Sequence, residues 1–516
     1  MPAPNRFPLR RPVVPPRLRM PLGIAALAQA GYLLWWAAFY PGLFSYDSFT
    51  YSYEVTTGHW IADHSIAYDG ALWLSLVGTG DYAALTLAQT VAMAAVIGYL
   101  AAGLRKLGVR TRWIAGSVLL TVALPSTGAF VVYAWKDVPF AIGTVLAFAA
   151  VLHLVADTLR QPRRHGGSGG GAGTRSWPLL GLGLLVVCLA RNNGFLEVVL
   201  IGLALLAALP RMWKRTTVVV LAPVLCFFAL SDGLYPALGV TKPLNNAAYS
   251  FLYGDIAYAY SRHPGTFTAA DTALMAEVAP LKHWSATGAD CYLIDPVVRG
   301  SFDLPLAVRL NSRLTGLFGE VTARTPLDVA QATLCRSHAA WSVTSGADPV
   351  GVAGTTVDKG LIGFVATHPE ITGNRYYPEM SIRPLLRALH GPANAWAEGL
   401  RRSGLVWLVW GGALWAYLTY AAVLALFARR RPGGRRREVL ALAAVTLGSQ
   451  LNVIAATPSP LYRYLAAPTL IGVLALPLLS ARLPRPEPIP VPEQGQEPGQ
   501  RESSVLTDEV KLDSPA

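Results

Sequence analysis

Residues 138–159 read VPFAIGTVLAFAAVLHLVADTL. An apolar run of about 20 residues is long enough to cross the roughly 30 Å hydrocarbon core of a bilayer as a single helix. Similar runs recur along the 516-residue chain, in which 53% of the residues are hydrophobic and only 14% are charged. A soluble protein normally carries about 25% charged residues. The sequence therefore predicts an all-α polytopic membrane protein.

Ten stretches of the chain are candidate transmembrane helices. The first is longer than the apolar core of a cleaved signal peptide, which has roughly 7–15 residues, so we expect it to be retained. The fifth and sixth are short and could form one broken hairpin or two half-length helices. The ten stretches are 21–40, 82–104, 113–133, 138–159, 177–190, 195–210, 216–236, 404–428, 438–456 and 465–481.

The positive charges lie in short clusters rather than along one face. The chain has 43 Lys and Arg residues against 30 Asp and Glu, a net charge of +13, and the basic clusters occupy every second loop. This alternation follows the positive-inside rule and predicts that both termini are cytoplasmic. A nucleic-acid-binding protein would gather its basic residues into one patch, so no nucleic-acid partner is expected.

The predicted orientation divides the chain into five parts. The final part is rich in Pro, Gln and Glu and poor in aromatic residues, which is typical of disorder. The parts are a basic cytoplasmic N-terminus (1–20), transmembrane helices 1–7 (21–236) with a first outer loop at 41–81, a large and mainly helical extracytoplasmic domain (237–403), transmembrane helices 8–10 (404–481) and a disordered cytoplasmic tail (482–516).

The four cysteines agree with this orientation. Cys188 and Cys226 lie inside apolar stretches, whereas Cys291 and Cys335 both lie in the long outward segment. Disulfides persist in oxidising compartments outside the cytoplasm. We therefore predict a disulfide between Cys291 and Cys335; the alternative is two unpaired thiols.

The first outer loop contains an acidic residue close to the end of the first span. Asp47 follows the Pro-Gly turn at 41–42 and is flanked by aromatic residues. Partial desolvation there would raise the pKa of its carboxyl group and make it a catalytic base. The alternative is that Asp47 caps the next helix. Further along, Asp63 and His64 could orient a substrate or hold a divalent metal with Asp47, although such a pair is more often simply solvated.

Three other outward turns carry polar residues at membrane level. Such residues are costly there and usually face a cavity or each other, although Asp137 could also begin a helix with Lys136 extended toward water. The turns contribute Lys136 and Asp137; Arg191, Asn192 and Asn193; and Tyr462, Arg463 and Tyr464. Glu197 could pair with Arg191. One carboxylate and three cations on one side of the bilayer suit an anionic membrane lipid, because Arg binds phosphate well.

Four short motifs resemble those of one family of membrane enzymes. They are PGLFSYDS (41–48), KDVPF (136–140), RNNG (191–194) and YRY (462–464). In type, order and topology these motifs are similar to those of the C-type (GT-C) superfamily of membrane glycosyltransferases, closest to an uncharacterised bacterial branch. The resemblance covers most of the transmembrane region. Related loops often have His-Pro after the Asp, whereas this chain has His64-Ser65, which puts a role for His64 in doubt.

The resemblance implies a location, an activity and site residues. The chain would lie in the bacterial cell membrane and transfer a sugar from a polyprenyl-phosphate donor to the hydroxyl group of an extracytoplasmic acceptor. Asp47 would be catalytic, and Arg463, Arg191 and Lys136 would bind the donor phosphate. Two alternatives remain open, a transporter or lipid flippase and a non-catalytic membrane protein of the same fold. No cofactor is implied with certainty, although a divalent metal is possible.

Overall fold

The computed structural model describes residues 15–62, 64–160, 176–241, 247–344, 375–429 and 436–482. Within these ranges the chain is helical, and the β-structure amounts to two isolated bridges, Leu43 with Tyr133 and Ile61 with Thr241. The predicted all-α class is confirmed for this part of the chain. The predictions for residues 1–14 and for the tail from residue 483 fall outside the described ranges.

The first half of the chain alternates between long apolar helices and short connecting ones. These helices are α1 (Pro16–Ala38), α2 (Tyr46–Thr57), α3 (Ile66–Thr79), α4 (Ala83–Lys106), α5 (Thr111–Ala123), α6 (Pro125–Gly128), α7 (Asp137–Arg160), α8 (Ser176–Ala190), α9 (Gly194–Ala208), α10 (Trp213–Phe228) and α11 (Tyr235–Ala237). A π-helical turn, Ala229–Leu234, joins α10 to α11.

The second half begins with short helices and ends with apolar ones. They are α12 (Ala247–Arg262), α13 (Ala269–Val278), α14 (Leu281–Gly288), α15 (Leu304–Arg309), α16 (Asn311–Arg324), α17 (Pro326–Arg336), α18 (His338–Trp341), α19 (Arg387–Arg402), α20 (Val406–Val409), α21 (Gly412–Ala428), α22 (Arg437–Ala456) and α23 (Ala466–Ala475). A 3₁₀ turn, Tyr462–Leu465, leads into α23.

Six helical segments of the described chain are long and apolar enough to cross a membrane. They are Leu18–Ala38, Ala83–Lys106, Asp137–Arg160, Pro210–Ala237, Arg437–Ala456 and Tyr462–Ser480. A bent pair, Thr111–Ala123 with Pro125–Val132, would be a seventh, and α8, α9 and α21 are shorter apolar helices. Several apolar helices therefore fit an integral membrane protein, while the count of ten spans stays a prediction.

The bend in the seventh candidate has a local cause. Its two halves meet at 84°, and Leu124 between them has the extended dihedral angles φ −71° and ψ 127°. A residue that precedes a proline is disfavoured in the α-helical region, so Pro125 forces the helix to end. The bend directs the chain toward the first outer loop, where Tyr133 meets Leu43.

Helix α7 forms the centre of the bundle. In its apolar window 83% of the residues are buried, against 22% for Pro210–Ala237 at the periphery. Helices α4, α8, α22 and α23 pack around α7. Gly183 lets α8 approach α7 closely, because a Cβ atom there would lie 2.8 Å from the carbonyl oxygen of Gly143.

The helices between α12 and α18 surround a hydrophobic core of their own. This core includes the fully buried side chains of Trp284 and Leu314. Cys291 and Cys335 lie at disulfide distance, with their Cα atoms 5.7 Å apart, as the sequence predicted. The predicted helical character of this segment is confirmed where it is described.

Candidate active site

The segment between α1 and α2 and the turn before α7 are joined through their backbones. The amide of Leu43 donates to the carbonyl of Val132 at 2.9 Å, and the amide of Ala134 donates to the carbonyl of Leu43 at 2.8 Å. The hydroxyl group of Ser48 donates to the carbonyl of Ala134 at 2.7 Å. Two motifs that are about 90 residues apart in sequence therefore share one rigid site.

Asp47 lies in the first turn of α2, but it is not the cap of this helix. Ser45 is the N-cap and forms a reciprocal capping box with Ser48. The capping interpretation of Asp47 is therefore wrong. Because Ser45 already satisfies the helix terminus, the Asp47 carboxylate can engage partners from other elements.

Among the described residues, three side chains donate hydrogen bonds to the Asp47 carboxylate, all at Oδ2. Arg463 Nη1 donates at 2.5 Å, Lys136 Nζ at 3.2 Å and the hydroxyl group of Tyr51 at 3.3 Å. The side chain of Asp47 keeps 18% of its surface exposed. The first loop, the turn before α7 and the turn before α23 thus converge on one carboxylate.

The charges around Asp47 reverse the predicted direction of its pKa. Burial alone would raise the pKa of this carboxyl group, but the positive charges of Arg463 and Lys136 hold it well below its usual range. The expectation of a raised pKa was wrong because desolvation was weighed without the two cations. In this arrangement Asp47 is ionised at neutral pH and is a weak base.

Lys136 is held by neutral partners as well as by Asp47. Its ammonium group donates to the hydroxyl group of Tyr51 at 2.8 Å and lies 3.3 Å from Nδ1 of His64. Burial and the charge of Lys136 lower the pKa of His64 to about 3. His64 is therefore neutral at physiological pH and accepts a hydrogen bond from Lys136.

A second carboxylate links the other two cations. Asp137 is almost fully buried; it lies 3.3 Å from Arg191 and 3.9 Å from Arg463. The ion pair seen for Arg191 is thus with Asp137, whereas Glu197 bonds to Thr144 at 3.2 Å and to Asn452 at 3.3 Å. The expected pair of Arg191 with Glu197 is not formed, because Glu197 faces α7 and α22.

Aromatic rings hold the two guanidinium groups in place. Arg191 lies over the ring of Tyr464 at 4.6 Å and over that of Phe140 at 5.1 Å. Arg463 lies 5.4 Å from the ring of Trp135 and 5.1 Å from that of Tyr464. Such cation–π contacts orient the cations without neutralising their charge.

We call this group of side chains the Asp47 cluster, defined by Asp47, Tyr51, His64, Lys136, Asp137, Arg191, Arg463 and Tyr464. Its three cations and two carboxylates, with His64 neutral, lie near a further buried carboxylate, that of Asp69, whose negative charge also acts on Tyr51. Several buried polar atoms of this region have no hydrogen-bond partner among the described residues, namely both carboxylate oxygens of Asp137, Nε of Arg463 and Nε1 of Trp135. Of these atoms, Arg463 Nε and Trp135 Nε1 are donors that an anionic ligand could use, whereas the oxygens of Asp137 are acceptors.

The other predicted site residues lie outside the cluster. The hydroxyl group of Tyr462 points away and donates to the carbonyl of Ser126 at 2.7 Å, and Asn192 donates to the carbonyl of Ala62 at 3.0 Å. Asn193 precedes α9 without a side-chain capping bond. These residues shape the turns rather than the cluster, and Asp63 falls outside the described residues.

The cluster does not favour a divalent metal. Across the described residues, no three His, Cys, Asp or Glu side chains come together as ligands. An ion between Asp47 and His64 would also lie beside the Lys136 ammonium group, which is 3.2 Å from Asp47, and would be repelled by it. A metal site that includes Asp63 stays a prediction.

The sequence reasoning missed Tyr51 as a functional candidate, and it named Asp137 as a supporting residue without identifying its partners. Tyr51 was noted only as a flanking aromatic residue, although it is four positions after Asp47 and so shares a helix face with it. Asp137 was expected to begin a helix, which it does, but its contacts with Arg191 and Arg463 depend on long-range packing. The spacing could have revealed Tyr51 but not the role of Asp137.

Comparisons of the chain with protein-family models, with curated proteins and with solved structures give no match.

Proposed function

We propose that this protein is a membrane glycosyltransferase that moves a sugar from a polyprenyl-phosphate donor to an acceptor hydroxyl group. The observation that carries the proposal is the Asp47 cluster, in which one carboxylate shares its Oδ2 atom between Arg463 and Lys136. A donor phosphodiester carries one negative charge, to which the three cations of the cluster could bind. Its attached chain would lie in the surrounding bilayer.

The proposed binding step changes Asp47 from a paired anion into a base. The donor phosphate would draw the positive charges of Arg463 and Lys136 away from Oδ2. The pKa of Asp47 would then rise, because those charges are what hold it low. The base thus gains strength only when the donor is bound.

The proposed transfer step balances as a displacement at the anomeric carbon. Asp47 takes the proton of the acceptor hydroxyl group while the oxygen forms a bond to that carbon. The bond between the anomeric carbon and the phosphate oxygen breaks, and its electron pair leaves with the polyprenyl phosphate. Arg463 and Arg191 stabilise the charge that develops on this leaving group.

The proposal includes the ten spans and the orientation inferred from the basic loops. The Asp47 cluster would lie at the extracytoplasmic face, and both termini would be cytoplasmic. A membrane-impermeant thiol reagent applied to intact cells should then label a cysteine placed at position 59, which is exposed. Labelling at position 111, which is exposed where the basic loop ends and α5 begins, but not at position 59 would contradict this orientation.

The decisive activity test uses membrane fractions and a panel of radiolabelled polyprenyl-phosphate sugars. Asp47→Asn should lower transfer by about 10²–10⁴-fold, the usual contribution of a general base. Asp81→Asn is a matched control, because Asp81 accepts a bond from Tyr40 at 2.9 Å and pairs with Arg383 at 3.1 Å on the same face. Full activity of Asp47→Asn would reject the base, and no transfer by the native protein from any donor would reject the function.

One observation favours a transporter or flippase as the second candidate. Glu197 is a fully buried carboxylate within the apolar helix α9 and is bonded to α7 and α22. Intramembrane carboxylates often mark transport pathways. In that case Glu197→Gln should stop the passage of a lipid or solute across vesicles, and Asp47→Asn should have little effect.

A further inference from the structure

A second feature of the bundle lies away from the Asp47 cluster. Helices α8 and α10 leave between them an apolar cleft with a volume of about 460 Å³. We call it the α8/α10 groove and define it by the residues Gly181, Leu182, Leu185, Val218, Ala222 and Cys226. Nothing in the proposed transfer reaction uses it.

Small or compact residues in each wall leave space for the groove between larger side chains such as Leu182 and Leu185. Gly181 contributes no side chain, and a Cβ atom there would meet only Val219 at 3.8 Å. Ala222 is short, and Pro178 and Pro223 are compact. The two helices can therefore contact each other elsewhere and still leave a channel between these positions.

The groove has the length of one leaflet. Val218, Ala222 and Cys226 recur at every fourth position of α10, and so form a stripe along the helix axis. Eight residues of helix span about 12 Å, and half of the hydrocarbon core is about 15 Å. One extended acyl chain fits this dimension better than a ligand that crosses the membrane.

One end of the groove is positively charged. A continuous cleft of about 470 Å³ shares Trp177, Pro178, Val218 and Val219 with the groove and is also lined by Lys214 and Arg215. Both cations are exposed, and Lys214 lies 5.7 Å from the ring of Trp213. An apolar channel with two cations and an aromatic ring at its mouth has the chemistry of a phospholipid site.

We propose that the α8/α10 groove binds one anionic phospholipid, with an acyl chain between the helices and the phosphate on Lys214 and Arg215. Charge complementarity selects the anionic headgroup, because no acidic side chain lines the mouth among the described residues. The peripheral position of Pro210–Ala237, of which only 22% is buried, leaves the groove open to the bilayer. Such a lipid would fasten α10 to the bundle.

Cys226 provides a probe at the far end of the groove. Its thiol is exposed, whereas Cys188 is buried and the other two cysteines are at disulfide distance. The rate at which a maleimide alkylates Cys226 can therefore be followed in the purified, detergent-solubilised protein. Phosphatidylglycerol should slow this rate at least fivefold, and phosphatidylcholine at the same concentration should have little effect.

Variants separate the charge from the groove. In the double variant Lys214→Gln with Arg215→Gln, the concentration of phosphatidylglycerol that half-protects Cys226 from alkylation should rise about 30-fold. Each lost cation should weaken the binding of the lipid about fivefold. Arg110→Gln with Arg112→Gln is the matched control, because Arg112 also lies over a neighbouring Trp ring, at 5.3 Å, at the start of α5. This control should leave the protection unchanged.

A third variant keeps both cations and fills the cleft. Gly181→Leu should abolish the effect of phosphatidylglycerol on Cys226. The proposal is overturned if phosphatidylcholine protects equally well, if the Lys214 and Arg215 variant protects as the native protein does, or if Gly181→Leu still responds. These outcomes do not depend on whether the protein transfers sugars.

Discussion

The clearest consequence of the Asp47 cluster is that removing its carboxylate should strengthen phosphate binding while it abolishes transfer. Arg463 Nη1 lies 2.5 Å from Asp47 Oδ2, so a phosphate held by the same guanidinium group would lie about 4–5 Å from the carboxylate. Two like charges at that distance repel each other by about 3–4 kcal/mol at an effective dielectric constant of about 20.

The exposed surface of Asp47, 18% of its side chain, allows solvent to screen part of this repulsion. About 2 kcal/mol then remains, which corresponds to roughly 30-fold in affinity. Asp47→Asn should therefore bind a polyprenyl phosphate about 30-fold more tightly than the native protein.

The assay is surface plasmon resonance on protein in nanodiscs, with the methyl diester of a polyprenyl phosphate as ligand. This diester carries a single charge that does not titrate near neutral pH, and it has no sugar to transfer. Asp81→Asn, which removes a carboxylate paired with Arg383, should change the affinity less than twofold. Unchanged or weaker binding by Asp47→Asn would refute the competition between carboxylate and phosphate.

Three further predictions concern single features of the structure. Arg463→Gln should lower the rate of transfer by about 10²–10³-fold and raise the donor KM by less than about tenfold. The effect on the rate is the larger one because the charge that Arg463 stabilises grows in the transition state. An effect confined to KM would contradict this role. His64 has a pKa of about 3 in the folded protein and about 6.5 when unfolded, so the stability of the folded protein should fall as the pH drops below about 6.5. Over about pH 6.5–4.5 the melting temperature of His64→Gln should therefore fall less than that of the native protein. An equal pH dependence in both proteins would count against a buried neutral His64. Cys291 and Cys335 are 44 positions apart, and replacing both by Ser should destabilise the α12–α18 region by about 4 kcal/mol in denaturant titrations. Cys226→Ser should not destabilise it. Similar unfolding midpoints for both variants would argue against a stabilising bond.

The sequence predicted the parts of the molecule that depend on local composition. Apolar helices occur at each of the ten predicted stretches, because hydropathy over about 20 residues is a local property. The sequence indicated that α8 and α9 are short, but it did not predict that α21 would be. It also missed the 84° bend at Pro125, although a proline inside an apolar stretch is a visible indication of one.

The sequence grouped four charged residues that lie together in the structure, but it did not predict the electrostatics around them. Topology placed Asp47, Lys136, Arg191 and Arg463 on one side, and the structure brings them together. The pKa of Asp47 was predicted in the wrong direction, because it depends on distances of 2.5–3.2 Å between residues up to 416 positions apart. Such distances follow from packing, which a single sequence does not show.

Photo-crosslinking tests the central claim, that the Asp47 cluster binds a lipid-linked phosphate, most directly. A polyprenyl phosphate with a diazirine next to its phosphate group would be activated in membranes that contain the protein, and the adducts would be mapped by mass spectrometry. The account predicts adducts within residues 133–140, 191–195 or 461–465, and their loss in excess unlabelled polyprenyl phosphate. Adducts confined to the basic loops at 105–112 or 211–215 would contradict it.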